Sequence, residues 1–368
     1  MSVTRRQFLR LTGLAAAGLG GFLSRASAAL HPPSELNLQD WLQPVPDRAI
    51  FSVPGYHVWC GTMVRSGDRV CHLFYSRWPI REGFMAWVTH SEIAHATADN
   101  PLGPYRHQGV ALPARGAEYW DGHCTHNPTV LAHGGRYYLY YMGNRGDRKP
   151  SEGKLNWSHR NNQRIGVAVA DTPEGPWRRS DSPLIDVSEG FHDALMCSNP
   201  AVCVRPAGDV LMIYKAVGTR HPGPFGGPVV HVVATAPAPR GPFTKRPDPV
   251  FTRAGVSFPA EDPFIWNDGS RYWGIVKDMK GDFTGAGRSL ALMQSANGFD
   301  WAPARHTLVS TTAIVRENGT LQPLHALERP QLWLENGRPS ALFCAASLTR
   351  DAEPNGSFNV AIPLRSPA

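Results

Sequence analysis

The chain has 368 residues, a formal net charge of +7, 36 glycines and 33 prolines. This length suits two average domains or one large all-β domain, and the many turn-forming residues argue against a helical protein. Four of the arginines and no acid lie in residues 1–28, so removal of that segment lowers the charge from +7 to +3, and the pI of 9.2 does not indicate a nucleic-acid partner.

Residues 1–28 are predicted to be a targeting segment. Arg5 and Arg6 precede Phe8-Leu9, an apolar Ala/Leu/Gly stretch and the small residues Ala26-Ser27-Ala28. This pattern resembles a twin-arginine export signal with its cleavage site, and it predicts a periplasmic or secreted protein with no membrane contact after cleavage. An N-terminal membrane anchor is the alternative, although the apolar part is shorter than the ~20 residues that span a bilayer.

Residues 29–45 are predicted to be a short N-terminal segment, and residues 46–368 a single domain. From about residue 46 the sequence repeats one pattern: a polar head, an apolar strand, a glycine turn and a second strand, as in Tyr119 to Asn144 with its turn at Gly134-Gly135. The five heads lie at Trp59, Asn127, Asn199, Asp262 and Arg329, in steps of 68, 72, 63 and 67 residues. A second marker recurs in the same phase, as Gly103-Pro104-Tyr105, Gly175-Pro176-Trp177 and Gly241-Pro242-Phe243.

Five repeats of three or four strands predict an all-β fold, a five-bladed β-propeller. The strand after each head is apolar on both faces, as expected of an inner strand between neighbouring blades. The last repeat has only three strands, and a strand near Asn37 to Leu42 is proposed to complete it.

Inner strands of a propeller line one central channel, so the heads are expected to converge at its mouth. The candidate site residues are His57 and Trp59; Asp121, His126 and Asn127; His192, Asp193 and Asn199; Glu261 and Asp262; and Glu328 and Arg329. Carboxyl groups concentrated in one funnel suit glycoside hydrolysis, in which one carboxyl is protonated and another ionised. An Asp or Asn before Pro can instead cap a turn, an interpretation that fits Glu261 and Glu328 less well.

Basic residues end the second strand of three repeats. Arg77, Lys215 and Lys277 occupy matching places, and with Arg329 they are proposed to form a collar of cations for a carboxylate or sulfate group. Ordinary solvated strand ends are the alternative.

Heads such as Glu261-Asp262-Pro263 and strand ends such as Gly175-Pro176-Trp177, in an exported chain, resemble the five-bladed propeller glycoside hydrolases of the family 43 clan and of families 32, 62, 68 and 117. The resemblance covers about residues 50–364. It implies that Glu261 is the general acid, whereas Asn199 stands where family 43 has a pKa-tuning Asp, and Asp193 is assigned to that role. Blade 1 offers only His57, so Asp121 is assigned as the base. This pattern of head residues resembles family 117 more closely than family 43. Family 117 includes a histidine that acts as an acid, a role that His126, His192 or His325 could take here.

The sequence therefore predicts an exported glycoside hydrolase, exo-acting and inverting, on plant or algal oligo- or polysaccharides, including acidic ones. A polysaccharide lyase acting on uronate glycans and a non-catalytic carbohydrate-binding propeller are the alternatives. The residues themselves indicate no definite cofactor, and the resemblance implies that a calcium ion can bind on the propeller axis. The sequence predicts no metal ligands and no oligomeric state.

Overall fold

The computed structural model describes residues 35–149, 153–352 and 356–365. These residues form five four-stranded antiparallel sheets and one two-stranded hairpin, so the predicted five-bladed β-propeller is confirmed. The predicted targeting segment, residues 1–28, lies outside the described residues. Within the described ranges, every helix falls short of the length and apolarity that a membrane span needs.

Each blade is a meander in which sequential strands pair with one another. The strands in chain order are β1 Ile50–Phe51; β2 Tyr56–Arg65, β3 Cys71–Pro79, β4 Glu92–Ala98 and β5 Arg106–Leu112; β6 Cys124–His133, β7 Arg136–Asn144, β8 Arg164–Ala170 and β9 Arg178–Arg179; β10 Met196–Val204, β11 Val210–Val217, β12 Val229–Ala236 and β13 Thr244–Val250; β14 Ala260–Asn267, β15 Tyr272–Asp278, β16 Ser289–Ser295 and β17 Ala302–Thr311; β18 Ala313–Val315 and β19 Leu321–Pro323; and β20 Ala326–Glu335, β21 Arg338–Ser347 and β22 Phe358–Pro363. Blades 1 to 4 are β2–β5, β6–β9, β10–β13 and β14–β17, and blade 5 is β20–β22 with β1 at its outer edge.

The first strand closes the ring, because β1 pairs antiparallel with β22 and supplies the fourth strand of blade 5. The strand predicted near Asn37 to Leu42 is wrong: this segment contains the short helix α1, Leu38–Trp41, with Leu38 fully buried in the core that blades 1, 4 and 5 share. Leu42 reaches blade 5 only through a single bridge to Leu364.

The hairpin turns predicted from their glycines have the left-handed backbone that glycine readily adopts. Gly134 and Gly135 both have positive φ, as do Asn336 and Gly337, which suits the tight turns whose twist matches that of the flanking strands. The Gly-Pro-aromatic markers directly precede the fourth strands of blades 1 to 3. Apolar side chains of neighbouring blades pack face to face, as Tyr140 of blade 2 does in one cluster with Tyr214 of blade 3.

All five inner strands, β2, β6, β10, β14 and β20, share one irregularity. Pairing with the second strand is interrupted by a bulge two residues long, and one residue in each bulge has a left-handed backbone: Cys60, Asn127, Asn199, Asp262 and Arg329, with φ between 53° and 58°. In blades 2 to 5 the next residue is proline, which has no N–H to donate to a ladder and so fits a bulge.

Short helices lie in the loops beside this irregularity. Helix α2, Trp87–His90, follows β3, and helix α3, Trp157–Asn161, follows β7; 3₁₀ turns span Asp47–Ala49, Ile80–Glu82, Phe84–Ala86 and Arg350–Ala352. In an antiparallel blade the second strand ends where the first begins. Loops after β3 and β7 therefore form the rim around the heads of the inner strands.

Candidate active site

The heads of the inner strands converge on one pocket at the propeller axis. Its volume is about 190 Å³. The lining residues are Trp59, Trp78, Phe84, Trp87, His126, Asn127, Asn199, Lys215, Glu261, Asp262, Glu328 and Arg329. Nine of the predicted site residues are thus brought together, and a tenth, Lys277, contacts two of them, Glu261 and Glu328.

One side of the pocket is aromatic. The Phe84 ring lies 5.4 Å from Trp59 and 5.6 Å from Trp78, and Trp87 lies 5.1 Å from the imidazole of His126. These side chains come from blade 1, its rim loop and the inner strand of blade 2. An apolar wall of flat rings suits the face of a sugar ring.

The floor is a chain of hydrogen bonds that runs through the five left-handed residues. The Cys60 thiol donates to Asn127 Oδ1 at 2.7 Å, Asn127 Nδ2 donates to Asn199 Oδ1, and Asn199 Nδ2 donates to Asp262 Oδ1 at 2.7 Å. Arg329 Nη1 lies 3.4 Å from the same Asp262 oxygen. Asp262 is therefore the terminal acceptor of a chain that links all five blades.

Opposite the aromatic side, two lysines and two glutamates alternate. Glu261 Oε1 accepts from Lys215 Nζ at 2.7 Å, and its Oε2 accepts from Lys277 Nζ at 3.2 Å. Lys277 Nζ also lies 2.8 Å from Glu328 Oε1. Register explains the arrangement, because Ser198 pairs with Lys215 and Glu261 with Lys277, which places these lysines on the pocket side of blades 3 and 4.

Two adjacent carboxyl groups are shifted in opposite directions. Burial alone would raise the pKa of Glu261, but Lys215 and Lys277 outweigh it and hold that pKa far below its usual range. Burial, together with the neighbouring Glu261 charge, raises the pKa of Asp262 to about 6. Environments that separate the pKa values of paired carboxyls are the mark of an acid and base assignment.

His126 is held as a neutral imidazole. Burial lowers its pKa well below the usual value, and its Nδ1 lies 2.7 Å from Ser91 Oγ. Its Nε2 lies 4.0 Å from Cys60 Sγ, and burial raises the pKa of that thiol. Cys60 is therefore a protonated hydrogen-bond donor.

The structure places Asp121 and Asp193 outside the pocket, so their predicted position at its mouth is wrong. Both are completely buried in the outer part of their blades. Asp121 accepts hydrogen bonds from Tyr141, Arg115 and Arg179. Asp193 has the same environment one blade later, with Tyr214 Oη and Lys245 Nζ as donors. Each Asp ties the second strand of its blade to the fourth.

Arg77, His57 and His192 are also away from the pocket. Arg77 pairs opposite Val58, one residue out of step with Lys215, so strand alternation turns it to the other face, where it contacts Glu92 and His107. His57 is buried against Trp78 and Phe84, and burial lowers its pKa to about 4. His192 Nε2 lies 2.8 Å from the Pro247 carbonyl oxygen.

The pocket residues do not fit the axial calcium ion that the resemblance implies. Calcium takes six to eight oxygen ligands. Here the Arg329 guanidinium occupies one place in the ring, and Oδ1 of Asn127, Asn199 and Asp262 each already accept a hydrogen bond. Within the described ranges no three His, Cys, Asp or Glu side chains are grouped as metal ligands.

Sequence reasoning missed Cys60 and Phe84. Cys60 follows Trp59 as Asn127 follows His126, so the true head of blade 1 is one residue later than Trp59; Gly61 in place of proline hides this match. Phe84 lies in a rim turn with no repeat to align it. Only the fold brings that ring to the pocket.

No protein-family model and no curated protein matches the sequence. Solved structures do match the fold. Zg3597, a family 117 glycoside hydrolase from the marine bacterium Zobellia galactanivorans, is 17% identical, with 89% of this chain and 91% of that chain covered and a TM-score of 0.61. A complex of BT0996 with RGII is 16% identical, with 89% and 93% covered and a TM-score of 0.65. A thermostable family 43 glycoside hydrolase is 13% identical, with 89% and 96% covered and a TM-score of 0.57. The chain thus shares the propeller fold of solved glycoside hydrolases.

Proposed function

We propose that this protein is a glycoside hydrolase that removes single sugars from the ends of oligosaccharide chains. The observation that carries the proposal is one axial pocket in which carboxyl groups of contrasting ionisation face a wall of aromatic rings. The pocket, at about 190 Å³, is smaller than the roughly 300–1,000 Å³ of sites for drug-sized ligands. A pocket of this size favours one sugar residue over a chain lying in a groove.

Asp262 is assigned as the general acid. Its pKa of about 6 keeps it partly protonated in mildly acidic to neutral solution, as proton donation to a leaving oxygen requires. Glu261 was predicted as the acid from the sequence, but two lysines keep it ionised. An ionised carboxylate instead stabilises the positive charge that develops on the sugar ring in the transition state.

Glu328 is assigned as the base that activates water, with inversion as the outcome. It lies on the blade next to that of Asp262, and Lys277 holds its carboxylate. Glu328 is thus assigned the role of general base that the sequence analysis gave to Asp121, which lies outside the pocket. Inversion requires a separation of about 6.5–9.5 Å between the two carboxyl groups, so that water can attack from the opposite face of the sugar. The placement of acid and base on different blades is the observation that supports this outcome.

Conservative substitutions test these roles. Asp262→Asn and Glu328→Gln are expected to lower kcat on aryl glycosides by about 10²- to 10⁴-fold, the usual contribution of general acid–base catalysis. Glu261→Gln should also lower kcat, since it removes a transition-state charge. His192→Gln, outside the pocket, is the control and should leave kcat unchanged. Full activity of both Asp262→Asn and Glu328→Gln, with folding checked by circular dichroism, contradicts the assignment.

Elimination on a uronate chain is the second candidate, favoured by the neutral imidazole of His126 on the pocket wall. A neutral imidazole can remove a proton from carbon, but the lowered pKa makes His126 a weak base, which ranks elimination second. A lyase would depend on His126 and would survive Asp262→Asn, so the same set of variants separates the two reactions.

We further propose export by the twin-arginine route to the periplasm or outside the cell, where plant or algal oligosaccharides would be met. The support is the Arg5-Arg6 segment of the sequence. Replacement of both arginines by lysine is expected to retain the protein in the cytoplasmic fraction, whereas unchanged export would contradict this route.

A further inference from the structure

Cations outnumber carboxylates around the pocket. Lys215, Lys277 and Arg329 face the carboxyls of Glu261, Asp262 and Glu328. A fourth cation, Arg160 of helix α3, lies on the rim, and Nη1 of that guanidinium donates to the neutral oxygens of Asn161 and Phe225. Burial lowers the pKa of Arg160 to about 10, and the negative charge of Glu261 partly offsets this effect, so the two side chains interact electrostatically. The described groups leave an excess of positive charge.

Some buried polar groups on or next to the pocket also lack partners. Arg329 is 1% exposed, and its Nε and Nη2 have no hydrogen-bond partner among the described residues. Ser198 Oγ and His231 Nε2 are equally unpartnered within that part of the chain. Ser198, Lys215 and His231 lie opposite one another across β10, β11 and β12. Buried polar groups are normally satisfied, so Arg329, which lines the pocket, retains unused hydrogen-bonding capacity there, whereas Ser198 and His231 are not pocket-lining residues.

Lys215 is placed to bind an acceptor in the pocket. Its Nζ carries three N–H groups, and one is used for Glu261 Oε1. Lys215 lines the pocket beside Glu261, and Arg329 lines its floor. An anion there would gain charge-assisted hydrogen bonds from two cations that are themselves buried.

We propose that the sugar bound in this pocket carries a carboxylate or sulfate group, which binds to Lys215 and Arg329 while the sugar ring packs on the aromatic side. The inference rests on the proposed function for the identity of the ligand as a sugar. It assigns a substrate class, acidic chain ends, because a neutral hydroxyl would leave the excess charge of the wall unbalanced.

Binding of monosaccharides tests the inference without any reaction. Isothermal titration calorimetry of the wild-type protein with galacturonate, glucuronate and galactose 6-sulfate is compared with galactose and glucose. At least one acidic sugar is expected to bind tenfold or more tightly than its neutral counterpart. The tighter of galacturonate and galactose 6-sulfate identifies the group as carboxylate or sulfate. Equal binding of acidic and neutral sugars, or no binding of any acidic sugar, overturns the inference.

Lys215→Met locates the anion, since it is expected to abolish the preference for acidic sugars. Lys280→Met removes an exposed lysine beyond the end of the same wall and should leave the preference intact. A preference that survives Lys215→Met contradicts the site. Hydrolysis confined to neutral chain ends would overturn this inference and leave the proposed function standing, whereas acidic sugars bound without hydrolysis of any glycoside would do the reverse.

Discussion

At the scale of single residues, one left-handed position in each inner strand determines the chemistry of the pocket. Successive residues of a strand normally point to opposite faces. At these bulges both Glu261 and Asp262 reach the pocket, as do both Glu328 and Arg329. Asn and Asp tolerate this backbone, whereas Cys and Arg, found here as Cys60 and Arg329, adopt it rarely in proteins. Backbone strain of this kind is concentrated at functional sites. In blades 2, 4 and 5 the bulge thus brings two consecutive residues to the pocket where a regular strand would bring one.

The pKa of Asp262 predicts how activity depends on pH. A general acid must be protonated, so kcat is expected to fall as pH rises through about 6, the pKa of Asp262. Asp262→Asn removes this titration. A pH–rate profile that keeps the same alkaline limb in Asp262→Asn would assign it to another group.

Asn199 is expected to set the position of that limb. Its Nδ2 donates to Asp262 Oδ1 and favours the ionised carboxylate, so Asn199→Gly should raise the pKa of Asp262 and move the limb up by about one pH unit. Glycine accepts the left-handed backbone at this position. The matched control is Asn127→Gly, which removes a donor to Asn199 and should move the limb less. Equal shifts in the two variants would contradict a direct effect on Asp262.

At the scale of elements, the two-residue strand β1 joins the ends of the propeller. Phe51 on this strand is buried and lies 4.9 Å from the Tyr75 ring of blade 1, so it seals the seam between blades 5 and 1. Through its pairing with β22, this strand keeps blade 5 in place, and blade 5 supplies Glu328 and Arg329. Closure of the ring and formation of the pocket are therefore coupled.

Truncation of Phe51 measures this coupling. Phe51→Ala is expected to lower the free energy of unfolding by about 3–5 kcal/mol, as for other buried phenylalanines. Urea denaturation followed by tryptophan fluorescence provides the measurement, with the exposed Val315→Ala as control. A loss below about 1 kcal/mol would show that the seam is held elsewhere.

The inner and second strands show which features of the site the sequence predicts and which depend on the fold. The Asn-Pro, Asp-Pro and Arg-Pro pairs that marked four of the five predicted heads coincide with bulges, which the sequence analysis did not predict. The position predicted for Arg77 was wrong because Arg77 lies one residue further along its strand than Lys215 does in blade 3. Side chains alternate along a strand, so this one-residue offset places Arg77 on the opposite face. The roles predicted for Asp121 and Asp193 were wrong because a buried structural carboxylate and a catalytic one have the same sequence signal. Both kinds contact basic side chains, and only the fold shows that Asp121 and Asp193 lie outside the pocket.

At the scale of the whole molecule, the floor of the pocket is also the junction of the blades. The hydrogen bonds from Cys60 through Asn127 and Asn199 to Asp262 and Arg329 cross the axis from blade to blade. Every blade contributes one residue, so the pocket exists only when the ring is complete. This arrangement fixes the catalytic groups on rigid strands rather than on loops, as a preorganised site requires.

The most direct test of the central claim is ¹H NMR of acidic and neutral plant and algal oligosaccharides during digestion by the wild-type protein. Hydrolysis at this pocket predicts single sugars released one at a time from chain ends, each first seen as the inverted anomer, and no release by Asp262→Asn. An unsaturated product would show elimination instead, and release that persists in Asp262→Asn would show that the axial pocket is not the active site.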